Sequence, residues 1–338
     1  MSKLLKRPLG SSRIEATVVG LGTWAIGGAG WGGSDRDRDI EAIRAGIDAG
    51  IDFIDTAPVY GFGLSEEIVG EALQGRRDEV VLATKCGQRW NADVGEFVFE
   101  DGAGNRIHNC LSPEGIRFEL EQSLMRLQVD VIDLYQTHWP TSTTAIEDTM
   151  AELLRQQAAG KIRAIGTCNT SCPDLDRYLA GGPVASIQEM YSMIDRQHEK
   201  SLFPHANSHG MAVIAYSPMA MGLLTGKLGP EREFSADDNR SWSPRFTVEN
   251  RQKVAALLDE LKPIAAGLSL SLPQLVIRWT ASQPTVTHVL CGARSVQQAQ
   301  ENAVGGRGLI DDSILSAIDE ILSKHAVKIP HPFLPEDV

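Results

Sequence analysis

Four residues of this sequence have the types and spacing for one piece of chemistry: Asp55, Tyr60, Lys85 and His138. Asp55 closes the apolar run IDFIDTA, and Tyr60 follows in the glycine-rich turn VYGFG. Lys85 ends VVLATK, and His138 ends VIDLYQTH. A tyrosine phenol, with an ordinary pKa of about 10, is a poor acid at neutral pH. A lysine ammonium beside it favours the phenolate and lowers that pKa. A carboxylate at ion-pair distance keeps such a buried lysine charged. A histidine hydrogen-bonds the reacting oxygen and orients it or relays the proton. Together the four groups protonate an oxygen that is gaining negative charge, which is what carbonyl reduction requires. No side chain donates hydride, so a nicotinamide cofactor has to supply it. Each residue alone reads more readily as structure: a solvated or ion-paired strand-end Asp or Lys, or a hydrogen-bonded core histidine.

Such a group needs several strand ends side by side. Eight short β-branched or apolar runs cross the chain: TVVGLGTW, IDFIDTA, VVLATKC, VDVIDLYQTHW, IRAIGTC, ASIQEMYS, MAVIAYSP and VTHVLCGA. A helix-like stretch follows each, from DRDIEAIRAGIDAG to SVQQAQENAVGG. This alternation predicts a parallel sheet, and eight units predict a closed (β/α)8 TIM barrel over residues 1–338 as a single domain. Ser112-Pro113 marks a helix start, and Gly50, Gly75, Gly160 and Gly210 stand where helices should stop. Three segments exceed the eight-fold count. Residues 87–110 predict a hairpin insertion after strand three, turning at DGAGN; a long insertion of this kind reads as a binding loop. Residues 225–267 predict a charged loop with an extra helix, and IDDSILSAIDEILSKH a second one before a Pro-rich tail.

The 338 residues are 42% hydrophobic and 22% charged, with a net charge of −12. That acidic balance argues against nucleic acid or an anionic membrane as partner. No apolar run approaches the roughly 20 residues of a membrane span, and no signal-type segment follows the basic start, so a cytoplasmic protein is expected. Five cysteines, Cys86, Cys110, Cys168, Cys172 and Cys291, show no framework spacing and read as free thiols. His198, His205 and His209 lack the spacing of a zinc site, so no metal is expected.

The chain resembles the aldo-keto reductases over nearly its whole length. The matching motifs are VVGLGTWAIGG, FIDTAPVYGFGLSEEIVGEAL, VVLATK, DLYQTHWP, IRAIGTCN, QEMYS, VIAYSPMAMGLLTGK and CGARSVQQAQEN. The resemblance implies a barrel oxidoreductase that uses NADPH or NADH without a Rossmann domain. It places the catalytic roles on Asp55, Tyr60, Lys85 and His138, with Tyr60 as general acid. It assigns the nicotinamide carboxamide to Asn169 and Gln188, with Cys168 where the family usually has serine, and the ring stack to Tyr216. Gly22, Thr23, Trp24 and Asp55 fall on the cofactor's reactive end. Ser217, Met219, Gly222, Leu223 and Lys227 fall on the pyrophosphate strip. Gly292, Arg294, Ser295, Gln298, Glu301 and Asn302 fall around the adenosine. Arg294 beside a helix start, with no acidic residue at 292–296, predicts NADPH. Trp24, Tyr60, Trp90, His138 and Trp139 are the expected substrate contacts. Aromatic faces, together with a polar insertion, suit a sugar or polyol-type carbonyl, hence a role in carbohydrate metabolism. Two other readings remain: an NADPH-binding redox-sensing subunit with little turnover, and a metal-dependent barrel hydrolase. Monomer and homo-oligomer are equally compatible with the sequence.

Overall fold

The computed structural model describes residues 3–101 and 103–331. Eight parallel strands close into a barrel, each hydrogen-bonded to the next in the chain. In order they are Val19–Gly22, Phe53–Asp55, Val81–Cys86, Ile132–Thr137, Ile162–Cys168, Ser186–Met190, Ala212–Tyr216 and His288–Gly292. The outer helices are Arg36–Asp48, Leu64–Ala72, Pro113–Leu127, Ile146–Ala158, Cys172–Gly181, Leu202–Ser208, Leu272–Ala281 and Val296–Gly305. The expected extra helices are Val248–Gly267 and Asp312–His325. The end of the Pro-rich tail, residues 332–338, lies outside the described residues. No helix of the described residues is long and apolar enough to cross a membrane.

Local chemistry explains the boundaries. Ser112, Ser171 and Ser271 each accept an N–H of the first helical turn, and a proline stands one or two residues after each of them. Such a cap satisfies a donor that the helix itself leaves open. Ser271 and Gln274 cap each other reciprocally. Gly50, Gly75, Gly160 and Gly210 all have φ between 68° and 99°, the left-handed conformation that ends a helix at low steric cost. Helix Ile146–Ala158 buries Thr149, Met150, Leu153 and Gln156, the stripe that a 3.6-residue period requires.

Two features depart from the sequence reading. The first is an N-terminal hairpin, Lys6–Pro8 paired with Glu15–Thr17, which its short mixed sequence did not announce. It plugs the N-terminal mouth of the barrel. Leu9, Ile14 and Ala16 are buried against Phe53, Ala83, Leu134, Ala185 and Leu290. At its turn, Gly10 lies so close to the barrel that a Cβ there would meet the Ala185 carbonyl at 2.1 Å. The second is the insertion, which is a three-stranded antiparallel sheet rather than a simple hairpin. Gln88–Arg89 pairs with Arg106–Asn109, which also pairs with Glu96–Glu100. A bulge between Phe97 and Phe99 breaks the alternation, and Phe97, Val98 and Phe99 are all exposed.

Candidate active site

The barrel register sets the distances. Asp55 pairs with Ala83, and Lys85 pairs with Gln136. Lys85 is thus two residues beyond the partner of Asp55 on the neighbouring strand, on the same face, within reach of its carboxylate. Lys85 Nζ donates to Asp55 Oδ1 at 2.5 Å, to the Thr56 carbonyl at 2.9 Å and to the Tyr60 hydroxyl at 3.3 Å. Asp55 Oδ2 accepts from Gln136 Nε2 at 3.0 Å and from Gln188 Nε2 at 2.9 Å. The Tyr60 and His138 rings meet edge to face with centroids 5.6 Å apart. The four residues picked from sequence therefore stand together. His138 is the residue just past its strand rather than the last one in it.

The loop carrying Tyr60 is held from behind. The Ser65 hydroxyl donates to the Thr23 carbonyl at 3.0 Å and lies 2.8 Å from the Thr23 hydroxyl and 3.0 Å from that of Thr56. Gly27 and Gly61 bring two backbones into contact: a Cβ on Gly61 would meet the Gly27 carbonyl at 2.1 Å. This is the reason for glycine in the VYGFG turn. Thr23, expected at the cofactor, is fully buried, and its N–H and hydroxyl both donate to the Asp55 carbonyl. Its polar groups shape the wall of the site instead of facing a ligand.

Burial decides the protonation states. Burial pushes the Tyr60 phenol up to about 12; Lys85 pulls it down and Asp55 pushes it up. The expected net lowering of the Tyr60 pKa is thus not what the geometry produces: desolvation of the phenolate outweighs the nearby ammonium. Burial works to lower Lys85, but Asp55 and Tyr60 outweigh it, and the ammonium is held above its ordinary range. Burial and then Lys85 push His138 well below the ordinary imidazole range. At neutral pH the site therefore holds a protonated phenol, an ammonium and a neutral imidazole.

Next to this group lie the residues expected at the cofactor. Asn169 Nδ2 donates to the His138 carbonyl at 3.0 Å, and Asn169 Oδ1 accepts from the Tyr216 hydroxyl at 2.8 Å. Gln188 uses its amide N–H groups on Asp55 and Gln136 Oε1. Its Oε1 has only the Cys168 thiol, at 3.8 Å, so it retains acceptor capacity for a carboxamide NH2. Ser217, Ala220 and Met221 have φ of 53°, 47° and 56°, followed by Gly222 at 101°. Left-handed non-glycine residues are uncommon and gather where backbone amides face a ligand. Leu223 is buried and Met219 half-buried in this loop, with Lys227 3.6 Å from Glu301. Ser295 caps the helix Val296–Gly305 with Gln298, and Asn302 Nδ2 donates to the Gly292 carbonyl. The donor set fits a dinucleotide: amides at one end, an amide-lined turn in the middle, and a guanidinium at the start of a helix. Arg294 itself is engaged. It donates to the Trp31 and Gly33 carbonyls at 2.6 and 2.5 Å, while its buried Nε has no hydrogen-bond partner among the described residues.

Of the expected substrate contacts, Trp24 faces the Tyr60 ring at 6.4 Å, and Trp31 packs edge-on against Trp24. Trp90 instead meets Phe62 and Arg126, one step back from Tyr60. Trp139 follows His138 directly and is half-buried. Gln136 was missed, although it lies two residues before His138 on the inward face of its strand. Glu189 was missed too. Its carboxylate accepts the Thr170 N–H at 2.9 Å and so holds the loop that carries Asn169, whose φ is 56°.

A parallel eight-stranded barrel with a phenol, ammonium and carboxylate at its C-terminal mouth defines an oxidoreductase of the carbonyl-reducing barrel class. A profile of the Aldo/keto reductase family matches residues 18–323, and the chain belongs to that family. It is 41% identical to the aldo-keto reductase YhdN of Bacillus subtilis over 290 residues, 85% of this chain and 84% of that protein. It is 40% identical to the NADH-specific methylglyoxal reductase of Escherichia coli over 303 residues, 88% and 92% of the two chains. Among solved structures, the glycerol dehydrogenase AKR11B4 of Gluconobacter oxydans superposes with a TM-score of 0.84, at 38% identity, covering 98% of both chains. The protein is an aldo-keto reductase, an oxidoreductase that works on carbonyls with a nicotinamide cofactor.

Proposed function

We propose that residues 1–338 form one catalytic unit that reduces a sugar or polyol-type aldehyde or ketone with NADPH, with Tyr60 as general acid. The observation that carries this reading is Lys85, buried between Asp55 and Tyr60 with His138 against the phenol. NADPH would supply hydride to the carbonyl carbon. Tyr60, protonated far above neutral pH, donates its proton to the carbonyl oxygen as that oxygen gains charge. The tyrosinate left behind lies beside the Lys85 ammonium, which Asp55 keeps charged. Neutral His138 orients the carbonyl by a hydrogen bond and is not the proton source, because burial disfavours its imidazolium. Gln136 and Gln188 hold the second oxygen of Asp55 and so fix the carboxylate that fixes Lys85.

The substrate class rests on the Trp24–Trp31 pair beside Tyr60 and on the polar insertion bearing Arg89, Asn91, Asp93, Arg106 and His108. Relatives named for methylglyoxal and glycerol concern small oxygenated compounds and support it. NADPH rests on Arg294 at a helix start. A second reading, NADH, is favoured by the two carbonyls that already occupy Arg294 and by the Escherichia coli relative.

Titration with NADPH and NADH, followed by tryptophan fluorescence, separates these readings. Tighter NADPH binding that falls about tenfold in Arg294→Ala supports the first, since a hydrogen bond to a charged group contributes about 1.5–3 kcal/mol. Equal affinities, or NADPH affinity unchanged in Arg294→Ala, count against NADPH as the preferred cofactor, and tighter NADH binding supports the second reading. Turnover of sugar aldehydes, absent in Tyr60→Phe, supports the substrate class. Far better turnover of aryl aldehydes removes it, and cofactor binding without any turnover leaves a redox-sensing subunit.

A further inference from the structure

The helix layer outside the barrel brings together three side chains that the proposed reaction does not use. His205 lies in helix Leu202–Ser208, and His209 caps its C-terminus. Four residues apart, the two imidazoles share one face. The neighbouring helix Cys172–Gly181 presents Asp176 to that face. Asp176 Oδ1 is 2.7 Å from His205 Nε2, and the two imidazole rings are 5.0 Å apart. One ligand atom from each of the three residues lies within 4.8 Å of the others. Among the described residues, no lysine or arginine forms an ion pair with Asp176.

We propose that Asp176, His205 and His209 form a zinc site on the outer surface of the barrel. Two imidazole nitrogens and one carboxylate oxygen are a zinc donor set, and a water completes the tetrahedron at a site open to solvent. The Asp176 and His205 side chains are 59% and 28% exposed, so an ion reaches them directly and keeps that water. Zinc bonds of about 2.0–2.1 Å hold donor atoms roughly 3.3 Å apart, so a bound ion would draw together donor atoms that now lie within 4.8 Å of one another. The third histidine of this stretch does not belong to the set. His198 packs on Phe203 and lies 3.9 Å from Glu189. The sequence could not show the site, because a His-x3-His pair becomes one only when a carboxylate from another helix faces it. Bound zinc ties the fifth and sixth outer helices together and stabilises the folded chain by mass action.

The test is a zinc titration by calorimetry on tag-free, chelator-stripped protein, for wild type, His205→Ala, His209→Ala, Asp176→Asn, His198→Ala and Cys172→Ser. The expected result is one zinc per chain and a rise in Tm with zinc. Either of the first two substitutions should weaken binding by more than the roughly tenfold to hundredfold that losing an outer-shell partner costs. Asp176→Asn should weaken it less, and His198→Ala and Cys172→Ser not at all. Unchanged Tm without metal and unchanged cofactor binding verify that the variants fold. Absence of zinc binding to the wild type overturns the proposal. So does wild-type affinity in both histidine variants, or loss of binding in Cys172→Ser.

Discussion

The two mouths of the barrel are built from the same eight strands and have opposite contents. At the N-terminal mouth the inward positions are Phe53, Ala83, Leu134, Ala164, Ala185, Ala212 and Leu290, sealed by Leu9, Ile14 and Ala16 of the hairpin. At the C-terminal mouth, two residues further along the second, third and fourth strands, stand Asp55, Lys85 and Gln136, with Gln188 and Tyr216 from later strands. Small alanines below let the hairpin seat closely, and the buried His288 at that end packs edge-on against Phe53 with its Nε2 3.3 Å from the Arg7 carbonyl. Above, buried charges persist because each oxygen and ammonium hydrogen of the Asp55–Lys85 pair has a partner. One end of the fold serves stability and the other holds chemistry at some expense to it.

Substitutions separate the two ends. Tyr60→Phe, at the upper mouth, should lower kcat for carbonyl reduction by about 10²–10⁴-fold while leaving Tm nearly unchanged; steady-state kinetics and a melt check both. A variant retaining a tenth of the activity would remove Tyr60 as the proton donor. Asp55→Asn should act on both properties, since it leaves the Lys85 ammonium without its carboxylate: about 3–5 kcal/mol of stability and most of the activity. Denaturant unfolding alongside kinetics reads the two effects. Leu9→Ala, at the lower mouth, should cost about 2–5 kcal/mol in denaturant unfolding, with kcat of the folded enzyme unchanged. A drop in kcat there would mean that the plug supports the site and that the two ends are not independent.

The remaining effect concerns pH and leaves the chemistry of the upper mouth untouched. Burial pushes the carboxyls of Glu119 and Glu189 up to about 8, against hydrogen bonds from Gly87 and from Thr170 and Asn169 respectively. Both stand behind the upper mouth, where Glu119 holds the start of the insertion and Glu189 the Asn169 loop. Between the unfolded carboxyl pKa of about 4.3 and about 8, the folded state keeps protons that the unfolded state has released, so stability falls as pH rises. Below about pH 6.5 the buried His138 and His288 and the half-buried His198 oppose this slope, because the unfolded chain binds protons there that they do not. From about pH 6.5 to 8 the two glutamates dominate, at up to about 1.4 kcal/mol per pH unit each. Tm should therefore decline over that interval, and Glu119→Gln with Glu189→Gln should flatten the decline. A Tm that rises from pH 6.5 to 8 would contradict the burial of these carboxyls.

The comparison also shows what could be read in advance. The upper mouth was largely legible. Asp55 and Lys85 at or near their strand ends, His138 just past its own, and Tyr60 in its glycine turn are polar residues that interrupt apolar runs, and polar interruptions are visible in a sequence. The lower mouth was not. KRP and EAT, around a tight turn, carry no periodic pattern, and their pairing depends on a barrel opening that exists only after folding. Gln136 was overlooked because glutamine in a strand is unremarkable until Asp55 and Gln188 flank it. The engagement of Thr23 by Asp55 and Ser65 was not legible either, because both partners come from other segments of the chain. The insertion's turn was visible, but its third strand, Gln88–Arg89, is too short to leave a signal.

The order and period of the apolar runs determined the eight-stranded barrel, since parallel strands joined by amphipathic helices have few ways to bury both faces. Residue types at the run ends determined which groups enter the upper mouth. Tertiary structure alone decided their protonation. Whether Tyr60 is lowered by Lys85 or raised by burial depends on how much water the neighbouring strands exclude, and burial prevails. It alone decided that Arg294 meets the Trp31 and Gly33 carbonyls and that Asp176 faces His205, because both contacts join segments far apart in the chain. Desolvation and such long-range contacts are properties of the packed interior and the assembled surface, and no local stretch of sequence contains them.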